Sequence, residues 1–144
     1  MKTASAYSRK GKILIQAFAK TTAGVWIAYG PVFTIEQTEI NDLGIKVLKA
    51  LNSSSEDIPH PKHTELQAIQ KPMLEAAGVK SWSTFSKGAK AVGLTWKDDL
   101  ITLEPCANYA NQGGTPLPEK SISCKPTAEK LGAALIEAFN NCIL

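Results

Sequence analysis

The chain has 144 residues, of which 44% are hydrophobic and 20% charged, enough for one domain around a single core and too well mixed for a disordered chain. Its longest apolar stretches, Ile13 to Ala19 and Val25 to Phe33, fall far short of the roughly 20 residues a membrane helix needs. The net charge of +3 is small for a nucleic-acid binder, although residues 1–40 hold five Lys or Arg against two Glu and residues 71–100 hold five Lys against three acids.

Met1 to Lys10 carries early positive charge and no apolar run leading to a cleavage site, so a cytoplasmic protein is expected. From Lys12 to Lys20 apolar residues occupy both parities, the pattern of a strand covered on both faces. Thr21-Thr22-Ala23-Gly24 supplies a turn, and Val25 to Tyr29 returns as a second strand. Gly30-Pro31 bends or ends that strand, with an extension through Val32 to Ile35 open. Ile40, Leu43, Gly44, Val47, Leu48 and Leu51 recur at helical spacing on one face. Gly44 on that face is costly for a helix and lets a strand approach closely. Asn52 to Pro61 reads as a polar, mobile loop.

Thr64 to Gln67 has capping-box spacing, and Pro72 argues for two broken helices, the second ending at Gly78. Ser81 to Ser86 forms a further helical turn that packs Trp82 with Phe85. Ala91 to Trp96 and Leu100 to Pro105 flank Lys97-Asp98-Asp99 as a hairpin. Tyr109 to Pro118 reads as an irregular loop, Lys120 to Cys124 as an edge strand, and Pro126-Thr127 opens a helix with a Leu131, Leu135, Phe139 and Cys142 stripe. Short turns make the strands antiparallel neighbours, and the amphipathic helices need a sheet face. The expected fold is a single α+β domain over residues 1–144, a mostly antiparallel sheet of about five strands with helices packed on it.

Little chemistry accompanies this framework. Three cysteines, Cys106, Cys124 and Cys142, are widely and evenly spaced, which fits reduced thiols better than a zinc knuckle or a disulfide set. His60 and His63, the only histidines, have just Glu56, Asp57 or Glu65 nearby as further ligands, an incomplete metal set. No nucleophile elbow is present; Gly113-Gly114 lacks the lysine of a phosphate loop, and Lys87-Gly88-Ala89-Lys90 has too few glycines for a cradle. Glu56-Asp57 and Asp98-Asp99 have the character of solvated turn acids, not of a glycosidase dyad. Trp82 and Phe85 beside Lys80, Lys87, Lys90 and Lys97 could stack and clamp a single-stranded nucleic acid, but the lysines are few, and anchoring a loop to the core is the favoured role. No enzyme, cofactor or metal is expected.

Three segments carry a resemblance. Gly78-Val79-Lys80-Ser81-Trp82-Ser83-Thr84-Phe85-Ser86-Lys87-Gly88-Ala89-Lys90, the strand Val92-Gly93-Leu94-Thr95-Trp96 and the helix Leu131 to Phe139 resemble the contact-dependent growth inhibition immunity proteins, CdiI. The resemblance implies a cytoplasmic protein that binds and neutralises the C-terminal toxin domain of a matching CdiA effector, often a nuclease, with no catalytic residue of its own. The slight basic charge departs from the acidic balance of many nuclease inhibitors. Glu56, Asp57, Asp98, Asp99 and Tyr109 are the expected toxin contacts, because predicted loops and turns expose them. A single-stranded nucleic-acid-binding module is the alternative, and a hydrolase using His60, His63 and the cysteines is a third reading.

Overall fold

In the computed structural model, which describes residues 1–112 and 114–143, the weakly patterned N-terminus Lys2–Arg9 forms β1, a strand in the interior of the sheet. Ala4 and Ala6 are fully buried on one face of it, while Ser5 and Tyr7 face the other. Chain order continues with β2 (Lys12–Thr21), β3 (Trp26–Glu36), α1 (Ile40–Asn52), β4 (Ser55–Ile58), α2 (Leu66–Ala77) and α3 (Trp82–Ser86). Then come β5 (Lys90–Lys97), β6 (Leu100–Ala107), α4 (Tyr109–Gln112), β7 (Thr115–Pro116), β8 (Ile122–Cys124) and α5 (Ala128–Asn140).

The sheet runs β3-β2-β1-β5-β6-β7, with β4 added in parallel to β2 and β8 added to β6. The other strand pairs are antiparallel. The α+β architecture is the expected one, with eight strands among the described residues in place of about five. The additional strands are β1, β4 and β7. β4 lies in the expected mobile loop, where the Ile58 carbonyl accepts from Thr22 N at 2.9 Å. The expected irregular loop after Tyr109 contains α4 and β7; Gly113 of the Gly113-Gly114 pair lies outside the described residues.

β2 is buried along both faces, as its unbroken apolar run required. Ile13 and Ile15 join the core beneath α1 and α5, whereas Leu14 joins Tyr7, Met73 and Phe85 on the opposite face, beneath α2 and α3. The Gly30-Pro31 step bends β3 without ending it, because Gly30 takes φ +80° and Pro31 has no N–H to donate. Opposite this step the β2–β3 register shifts between Ile15 and Ala17, and the Gln16 side chain donates Nε2 to the Gly30 carbonyl at 2.9 Å.

Gly44 does allow a close approach, but the neighbour is a helix. A Cβ at Gly44 would collide with the Ala128 carbonyl of α5, and one at Gly132 would collide with the Ile40 carbonyl of α1. The two glycines bring α1 and α5 into backbone contact above the sheet. The expected break at Pro72 does not occur: α2 runs unbroken to a Gly78 cap at φ +72°. Pro72 and Ala68 are solvent-exposed, so the Ala68 carbonyl that loses its helical partner is free to bond water. The start of α2 also differs from the expected capping box, since Glu65 Oε1 accepts from the Lys62 backbone at 3.0 Å.

Candidate functional site

The aromatic segment is built from its cap upward. Ser81 Oγ accepts from Thr84 N at 3.2 Å and starts α3. One helical turn then places Trp82 and Phe85 in a stack, with ring centroids 4.7 Å apart. Tyr7 of β1 meets Phe85 edge-on at 5.2 Å, and Tyr109 of α4 meets Tyr7 at 5.6 Å. Arg9 Nε donates to the Phe85 carbonyl at 3.2 Å. Phe85 is fully buried, so the Trp82–Phe85 pair anchors a loop to the sheet, and the stacking platform of the nucleic-acid reading loses one of its two rings. Burial raises both tyrosine pKa values above the ordinary range, with Tyr7 a further cause for Tyr109.

The expected contact residues divide into two groups. β4 carries Glu56 and Asp57 past the β2 end that pairs with the start of β1, and the β5–β6 turn carries Asp98 and Asp99 to that same end of the sheet. All four are exposed. Asp57 and Asp98 hold φ of +59° and +56°, a conformation acidic and amide side chains tolerate better than most. Asp99 Oδ2 accepts from Lys125 Nζ at 2.7 Å. Tyr109 lies at the other end of β6, about 25 Å away at about 3.3 Å per residue, and is half-buried in the aromatic cluster. The structure thus gathers the four acids and separates the tyrosine from them. Arg9, Lys10, Lys12, Lys87 and Lys90 lie toward Tyr109's end of the sheet.

A cleft of about 460 Å³ lies between α2 and the sheet, walled by Phe18, Trp26, Ile69, Met73 and Trp82 over a floor containing Gln16. It exists because α2 rests on the sheet lightly: Met73 is its only buried residue. The sequence reading missed this feature. The available signal was Gln16, a lone amide inside an apolar strand.

The groups considered for catalysis are dispersed. His60 Nδ1 lies 3.0 Å from the Thr21 hydroxyl, where it ties the segment after β4 to β2. Among the described residues no three His, Cys, Asp or Glu side chains come together as a metal site. Cys106 packs on the α3 side of the sheet, Cys124 and Cys142 on the α5 side, and burial raises the pKa of all three thiols. No described helix is long and apolar enough to cross a membrane.

The family model described as CDI immunity protein, CdiI, matches residues 2–142. The chain belongs to the CdiI family. No curated protein matches it by sequence. Among solved structures, a protein of unknown function, NMB0488, from Neisseria meningitidis shares the fold with TM-score 0.80 and 15% identity, over 98% of this chain and 94% of that one. A CdiA-CT/CdiI toxin and immunity complex from Yersinia pseudotuberculosis contains a similar chain, with TM-score 0.77 and 14% identity over 98% of this CdiI-family chain and 97% of that one. The resemblance seen in three sequence segments therefore extends across nearly the whole chain.

Proposed function

We propose that this CdiI-family chain acts in the cytoplasm as one immunity domain, binding and neutralising the C-terminal toxin domain of its matching CdiA effector, which we read as a nuclease. The family match over residues 2–142 carries this reading. The toxin and immunity complex from Yersinia, whose fold is shared, supports it. Neutralisation by binding needs no catalytic residue or cofactor. It needs a surface of commonly about 800 Å² per partner with complementary charge and a few anchors.

Glu56, Asp57, Asp98 and Asp99 form the proposed charged part of that surface, a reading supported by their exposure at one end of the sheet. Tyr109 would add a second contact at the far end, limited by its half-buried packing against Tyr7. Co-expression with the toxin domain of the matching effector tests the reading. Growth rescue together with co-purification of a stable complex is expected; toxicity undiminished by this chain, with no complex, overturns it.

A further inference from the structure

We propose that the pocket between the β1–β2 turn and the C-terminal end of α2 binds a phosphoryl group. Arg9, Lys10 and Lys12 line this pocket of about 240 Å³ over Leu14, and Ala76 and Ala77 close it from α2. No Asp or Glu lines it. Arg9 and Lys12 are direct cross-strand partners, an arrangement in which like charges repel and cost stability. Among the described residues the ion pairs are Lys71–Glu75 and Lys125–Asp99, so no carboxylate is paired with any of the three cations. Glu36 stands opposite Lys12 on β3 but neither forms an ion pair with it nor lines the pocket. The negative end of the α2 dipole amounts to about half an elementary charge. Its Leu74 and Glu75 carbonyls already accept from Val79 N at 3.0 Å and Gly78 N at 3.1 Å. The three cations therefore exceed what their surroundings neutralise, and an anion supplies the balance.

The pocket is held in shape by the fold. Lys10 and Gly11 make a two-residue turn with φ of +51° and +78°, the conformation of the tightest hairpins. The Gly11 carbonyl accepts from Gln37 N at 3.2 Å, which ties the turn to the segment before α1. Arg9 Nε donates to the Phe85 carbonyl at 3.2 Å, which fixes the guanidinium and leaves its paired Nη donors for a ligand. A planar arginine fork beside two lysine point charges suits phosphate oxygens. A phosphoryl group, with a charge of about −1.5 to −2 and three acceptor oxygens, matches three cations better than a single carboxylate does. Size limits what enters. The pocket falls below the roughly 300 Å³ at which sites begin to enclose a drug-sized ligand, so the phosphoryl group enters and the rest of its carrier stays outside. Lys87, two residues beyond Phe85 and exposed, continues the positive surface from the pocket.

Calorimetric titration of the full chain with inorganic pyrophosphate, in the absence of toxin, tests the proposal. Saturable binding is expected at low salt, with a raised Tm and an affinity that falls as salt is added. Lys10→Gln and Lys12→Gln combined should weaken pyrophosphate binding by about tenfold or more, with a melting transition like the parent's. Arg9→Lys keeps the charge and loses the fork, and should weaken binding by about threefold or more. No detectable binding of pyrophosphate at about 5 mM overturns the proposal, as does a double lysine variant that binds within about twofold of the parent. Both lysines are exposed, so that variant keeps the test decisive if Arg9→Lys does not fold. Adenosine diphosphate and a short oligouridylate, each titrated in the same way, distinguish the source of the phosphoryl group. Tighter binding of adenosine diphosphate than of pyrophosphate supports the site as one for a free nucleotide. Tighter binding of the oligomer, falling steeply with salt, supports it as a contact for a nucleic-acid backbone. Toxin is absent from every arm, so failure here would leave the immunity reading standing.

Discussion

Tyr7 and Tyr109 join β1, α3 and α4, and their rings are worth more to the fold than an exposed contact would be. Burial raises both pKa values above the ordinary 10.0, so the folded chain holds these protons more tightly than the unfolded chain does. The sign follows: their stabilisation is complete below pH 10 and is lost as pH rises beyond it. Cys106, Cys124 and Cys142, raised from 9.0 by burial, act in the same direction. Urea unfolding between pH 7 and 11 should show falling stability on the alkaline side. Tyr109→Phe should flatten that limb, and an unchanged limb would show that Tyr109 does not contribute to it.

At the scale of elements, two features make opposite predictions for substitution to alanine. In an exposed helix interior, Gly→Ala stabilises by about 1 kcal/mol. In α1 and α5 the added methyl meets the facing helix's carbonyl, at Gly44 against Ala128 and at Gly132 against Ile40. Gly44→Ala and Gly132→Ala should therefore each destabilise, by about 1–3 kcal/mol or more, seen as a lower Tm. Pro72 lies inside α2 on an exposed face, where replacement restores the missing N–H and disturbs no buried packing. Pro72→Ala should raise Tm, with a gain of up to about 3 kcal/mol. A lower Tm would show that the proline relieves some strain in α2.

Across the whole molecule, the charge that looks modest as a net +3 is divided between the ends of the sheet. One end mixes the four acids with Lys2, Lys20, Lys97 and Lys125; the other gathers Arg9, Lys10, Lys12, Lys87 and Lys90 with Glu36. The Lys125–Asp99 pair is largely exposed, with side-chain exposures of 59% and 79%, so Lys125→Ala should change stability by less than about 1 kcal/mol. If the end that bears the four acids meets the toxin, replacing Glu56, Asp57, Asp98 and Asp99 together by alanine should weaken the complex. It should also reduce the salt dependence of association. Unchanged affinity and salt dependence would move the charged contact elsewhere.

Strong local patterns were readable without the fold: the both-faces burial of β2, the α1 and α5 stripes, the β5–β6 hairpin and the helical turn from Ser81 to Ser86 all follow from periodicity or turn chemistry within a few residues. The segments that were not readable depend on distant partners. β1 is mostly Lys, Thr, Ala and Ser, and is a strand because β2 and β5 cover its two edges. β4 exists because β2 offers it a free edge beyond the start of β1. Pro72 stays in a helix because water can satisfy the carbonyl it abandons, a matter of exposure that no local signal encodes. The same division holds for the surface. Composition and turn spacing identified the four acids as exposed, but their common end comes from strand order, and the distance of Tyr109 from strand length. The cleft was beyond local reading altogether, since its volume is the gap left between a lightly seated helix and a sheet. By itself, then, the sequence determined the residue types available for recognition and the elements with strong periodicity; only tertiary structure decided which of them share a surface, because that depends on contacts between residues far apart in the chain.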